Sequence, residues 1–97
     1  METYITFGKF TEQGAANIKE GPARLDAAKQ AIENAGGKWL GFYLTMGRYD
    51  FVVITQAPNA EVAATNLLAL GSQGNIRTET SRAFPEEEYK NIVTNLP

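Results

Sequence analysis

Apolar positions along this chain recur in two rhythms, and their alternation lays out the fold. Residues 4–11 alternate and are rich in aromatic and β-branched side chains, so they predict a first strand. Thr11 is placed to cap a short helix over residues 12–19, with Glu12 in its first turn. Gly21-Pro22 interrupts that helix, and Pro22 suits the start of a longer one. There Leu25, Ala28, Ile32 and Ala35 recur at helical spacing until Gly36-Gly37 stops them. Residues 38–45 read as a second strand and residues 50–56 as a third, joined around Met46-Gly47-Arg48-Tyr49. Asn59 caps a second long helix over residues 60–70, whose contact positions are mostly Ala and Leu. Residues 71–74 read as a loop and residues 76–84 as a fourth strand. Pro85 followed by Glu86-Glu87-Glu88 opens a terminal helix, and Tyr89, Ile92, Val93 and Leu96 give it an apolar stripe expected to pack.

The order is βαββαβ plus a helix, a split-βαβ pattern in one domain over residues 1–97. The fold class is therefore α+β and ferredoxin-like, with both helices on one face of a four-stranded antiparallel sheet. The other face should be polar if it meets water. It is not. Ile5, Phe7, Val52, Val53 and Ile54 supply apolar side chains in both directions. Trp39, Gly41 and Tyr43 are expected on one side of the second strand, and Leu40, Phe42 and Leu44 on the other. Burying each large side chain stabilises by roughly 1.5–3 kcal/mol, so the expected cover is a second copy, sheet against sheet. The competing reading folds the terminal helix back over that face.

Composition narrows the chemistry. Nine Lys and Arg against eleven Asp and Glu leave no basic surplus for nucleic acid. The chain has no Cys and no His, which removes thiol nucleophiles, ordinary zinc sites and Ser-His-Asp catalysis. No apolar run approaches about 20 residues. A cytoplasmic protein without a cofactor, metal or membrane span is the expectation.

Four blocks carry a resemblance. Phe10-Thr11-Glu12-Gln13-Gly14, Asn17-Ile18-Lys19, Tyr43 through Asp50 and Gly74 through Thr80 together look like the GYD domain family. The turn that gives the family its name stands here as Gly47-Arg48-Tyr49-Asp50. The resemblance implies a dimeric α/β barrel and no established activity. Pro85 departs from it, since a Ser or Thr cap is expected there.

Candidate site residues fall into three groups. Arg77, Thr78, Glu79, Thr80, Ser81 and Arg82 make the fourth strand polar on both faces, so it either lines a pocket or is a charged edge strand. Arg77 and Arg82 should point to opposite sides. At least one should meet a carboxylate, with Asp50 and Glu79 as partners, or line a cavity near Asn17 and Lys19. Asn17, Lys19 and Arg24 surround the helix break and form either a small anion site or a solvated cluster. Tyr43 and Trp39 are candidate aromatic walls, or interface core. Asp50 is a candidate base, or an acceptor of backbone N–H bonds, and Tyr49 packs or offers its phenol. Two functions fit: a homodimeric or larger module holding a small, possibly anionic molecule, and a cofactor-independent monooxygenase- or isomerase-like enzyme. A closed apolar pocket with a perturbed carboxylate or phenol would favour the enzyme.

Overall fold

A computed structural model describes all 97 residues, 1–97. Its elements are β1 (Glu2–Phe10), α1 (Glu12–Ala16), a 3-10 turn (Ile18–Glu20), α2 (Gly21–Asn34), β2 (Lys38–Leu44), β3 (Phe51–Ala57), α3 (Ala60–Ser72), β4 (Ile76–Ala83) and α4 (Glu86–Thr94). The strands form one antiparallel sheet in the order β2-β3-β1-β4. This is the ferredoxin-like α+β fold, with β4 on an edge.

Local chemistry accounts for the helix limits. The Thr11 hydroxyl accepts the Gly14 N–H at 3.1 Å, and Asn59 accepts the Val62 N–H at 2.9 Å. The expected helix over residues 12–19 is split instead. Asn17 turns its carboxamide back onto the Gln13 carbonyl at 3.0 Å, and a 3-10 turn follows. A side chain that bonds local backbone competes with the helix there. Later in the chain, α3 runs through Gly71 and Ser72, two residues into the expected loop.

Register decides which side chain faces what. β1 pairs Tyr4 with Thr55 and Arg82, and Thr6 with Val53 and Thr80. Tyr4, Thr6, Phe51, Val53 and Thr80 therefore share the face that α2 and α3 cover. Ile5, Phe7, Val52 and Ile54 take the opposite face, where no helix packs. A β-bulge between Trp39 and Gly41 shifts the register of β2 by one. Trp39 consequently shares the helix side with Phe42 and Leu44, while Tyr43 turns to the open side and is 59% exposed. The expectation that Trp39 and Tyr43 share a face is corrected by that one extra residue.

The terminal helix carries its expected stripe but does not pack on its own chain. Tyr89 is 61% exposed and Leu96 65%, so α4 neither buries its apolar side nor folds back over the open sheet. The accessible surface is 6651 Å², against about 5,500 Å² for a folded monomer of this mass. The radius of gyration is 14.6 Å, against about 12.5 Å for a compact domain of this length. Both go with an elongated chain, 52 × 31 × 18 Å in extent, whose apolar α4 side chains are exposed.

Candidate functional site

Between the sheet and the two long helices lies a hollow of about 480 Å³. Its cause is legible in the side chains. Ala28 on α2 and Ala63 on α3 face inward where larger residues would fill the space, and only Ile32 of either helix is buried. Phe10 and Phe42 each lie 5.5 Å from Phe51, centroid to centroid, and this aromatic group forms part of the floor. The Thr6 and Thr80 hydroxyls meet at 2.9 Å on the same wall. The hollow is partly open to solvent, so water or a small molecule can enter it.

Sixteen of the 27 residues around it are hydrophobic, and Arg24 alone is charged. No carboxylate reaches it. Tyr4 contributes a phenol, but that phenol donates to Glu2, and the bond, with burial adding, pushes its pKa up. A phenol held protonated is no base near neutral pH. No three residues among Asp and Glu converge to hold a metal ion.

Of the candidate residues, Arg24, Trp39, Thr78 and Thr80 line this hollow. Arg24 donates to the Asn17 carbonyl at 3.1 Å and, more loosely, to the Gly14 carbonyl at 3.5 Å, with Glu20 at 3.6 Å. Asn17 is thus brought to Arg24 through its backbone, while Lys19 is exposed on the 3-10 turn. Tyr43, Tyr49, Asp50, Arg77 and Arg82 stand outside it. Sequence reasoning missed Asn66, Gln73 and Asn75 at its wall. The signal was the run of small Ala side chains facing the sheet, which leaves room beside them.

The arginines of β4 do lie on opposite faces by register, but their partners differ from those expected. Arg82 reaches Glu88 at 3.4 Å and Glu2 at 4.0 Å, and its guanidinium sits 4.5 Å from the Phe84 ring centroid. It ties β1, β4 and α4 together, far along the strand from Asn17 and Lys19. Arg77 is exposed and donates to its own neighbour's carbonyl at 3.2 Å. Asp50 and Glu79 are engaged elsewhere. Asp50 accepts the Phe10 N–H, and Glu79 accepts the Tyr49 phenol.

That phenol belongs to the open face. The Tyr49 ring lies 5.1 Å from Phe7, with the Arg48 guanidinium 5.5 Å and the Lys9 ammonium 5.9 Å from its centroid. The bond to Glu79 pushes the Tyr49 pKa up, with burial adding and Arg48 opposing. Tyr49 therefore bridges the turn before β3 to β4 across β1.

Comparison with known proteins agrees with this architecture. The GYD domain profile matches residues 4–93. The chain is 33% identical over 86 residues to the glutamine synthetase and cystathionine beta-lyase binding protein of Thermus thermophilus, covering 88% of this chain and 90% of that one. Among solved structures, a protein from Thermus thermophilus superposes with a TM-score of 0.56 at 22% identity, over 87% of this chain and 94% of that one. The feast or famine regulatory protein of M. tuberculosis, complexed with L-methionine, superposes with a TM-score of 0.65 at 14% identity. The match covers 87% of this chain but only 50% of the regulator, so the chain spans about half its length. At these identities the superpositions establish the shared fold.

Proposed function

This chain belongs to the GYD domain family, and on that footing we propose that it is a binding and assembly module. Two copies pair through the open sheet face, the pair docks on other proteins, and each copy holds a small organic molecule. The observation that carries this reading is the apolar sheet face on the side away from the helices, where Tyr43 is 59% exposed and Ile5, Phe7, Val52 and Ile54 are half-buried. A patch of that kind on a small protein marks an interface.

The relative's name supports enzymes as docking targets, glutamine synthetase first. A cytoplasmic module goes with that reading. Catalysis by the chain itself is the weaker reading, because no acid faces the hollow and its one phenol is held protonated.

Sedimentation at low micromolar concentration should show a dimer or a larger assembly and no monomer. Calorimetric titration with glutamine synthetase from the same source should then show saturable binding. A stable monomer overturns the pairing, and an enzyme that gives no heat at tens of micromolar overturns that docking target.

A further inference from the structure

We infer that the hollow between the sheet and α2–α3 binds a small amphipathic molecule with an apolar body and one anionic head, the head meeting Arg24. The inference rests on the ligand-holding half of the binding-module reading and supplies its site and chemical class. About 480 Å³ falls within the range of small-molecule pockets, roughly 300–1,000 Å³. The deep lining is apolar, with Ile32, Phe42, Phe51, Val53 and Leu67 among its residues. A polar body would lose its water there without replacement.

Charge then selects the head group. Arg24 is the one charged residue among the 27 that line the space, and its side chain is only 23% exposed. A guanidinium offers five N–H donors. Two carbonyl contacts use part of that set, and the present counter-ion, Glu20, is loosely held at 3.6 Å and 74% exposed. A ligand carboxylate can take the place of Glu20 and form the paired bonds a guanidinium favours. Asn66 and Gln73 line the same slot between the helices, and a carboxamide carries N–H donors. No acid lines the hollow for a cationic head, and the one carboxylate beside Arg24, Glu20, is 74% exposed, so a simple anion is favoured over a zwitterion.

Trp39 lines the hollow and is the chain's single tryptophan, so its emission reads occupancy directly. The test titrates the full chain with decanoate, decanol, decylamine and methionine, all below micellar concentration. Trp39 fluorescence and calorimetry are followed together. Decanoate should bind saturably, at least tenfold more tightly than decylamine or methionine. Arg24→Gln should weaken decanoate about tenfold and leave decanol unchanged. Arg24→Lys, which keeps the charge if the Gln variant fails to fold, should lose less. Ala63→Phe, which fills the space, should abolish binding of both decanoate and decanol.

No saturable response to decanoate overturns the inference, as does equal decanoate affinity in wild type and Arg24→Gln, or tighter binding of decylamine. Sedimentation of the same samples separates this from the pairing. A dimer that ignores decanoate overturns the ligand site and keeps the pairing. A monomer that binds decanoate does the reverse.

Discussion

The Asp50 carboxylate accepts the backbone N–H of Phe10 at 2.9 Å, joining the turn before β3 to the end of β1. The Asp50 N–H donates in return to the Gly8 carbonyl at 2.8 Å. Nearby, the Thr11 hydroxyl donates to the Gly74 carbonyl at 2.6 Å, and Gln13 donates to Asn75 at 3.0 Å. The segments that resemble the family thus converge on one end of the sheet, where they clasp β1, β3 and β4. In this chain the Gly-x-Tyr-Asp turn is a fastening, with its Asp bound to β1 and its Tyr to β4.

Asp50→Ala should therefore destabilise the fold by about 1.5–3 kcal/mol, the usual worth of a hydrogen bond to a charged acceptor. Asp50→Asn keeps an oxygen for the Phe10 N–H and should lose less. Urea unfolding midpoints check the order. Equal midpoints for Asp50→Ala and wild type would show that the staple carries no stability.

Gly47→Val should cost more than Arg48→Ala. Gly47 has a φ of +113°, a conformation β-branched residues resist, at about 1–3 kcal/mol. A Cβ there would touch nothing within 4 Å, so the cost is conformational and not steric. Arg48→Ala loses only an exposed contact with the Tyr49 ring, worth about 0.5–1 kcal/mol. Thermal melts of the two variants at matched concentration give the comparison.

The bulge in β2 separates two neighbouring aromatic residues by role. Tyr43→Lys should keep its circular dichroism and move the sedimentation boundary toward monomer, because its ring lies on the open face. Phe42→Lys puts an ammonium beside Phe51 on the helix side and should lower the melting point at every protein concentration. A Tyr43→Lys variant that still sediments as wild type would remove that face from the interface.

Alkaline titration tests the tyrosine bonds. Tyr4 and Tyr49 have pKa values raised in the folded chain, chiefly by bonds to Glu2 and Glu79. The unfolded phenols release their protons near pH 10, at about the ordinary value. The folded state binds more protons in that window, so the stability these bonds contribute is complete below about pH 10 and is lost as pH rises through the folded values. Absorbance at about 295 nm should show a late-titrating fraction among the four tyrosines, and Tyr49→Phe should reduce it. Unchanged titration in Tyr49→Phe would exclude the Glu79 bond.

Much of this architecture was legible because local signals agreed with the global fold. The Thr11 and Asn59 caps and the period changes between strand and helix each named an element correctly. Side-chain facing in β2 was not legible. Both of its faces are apolar, so a one-residue bulge leaves no trace in the alternation. The partners of Arg82 were hidden for a related reason. They depend on the β1–β4 register, which sets Tyr4 opposite Arg82 and brings Glu2 near, and a distant pairing has no local signature. The hollow was visible only as an excess of small helix residues, and most of the candidates stand out by polarity, which such a space largely lacks. Gly14 shows the same limit. Its hydrogen lies where a Cβ would collide with the Asn75 carbonyl oxygen, a contact between segments far apart in the chain.

The uncovered sheet and the stripe of α4 make abundance a physical variable for this protein. Association that hides such surfaces follows mass action, so each added copy raises the stability of those already made. Under the proposed pairing, the chain at low expression would present oily surface to chaperones and proteases and at higher expression would hide it against a second copy. Its steady level would then respond to synthesis with a threshold.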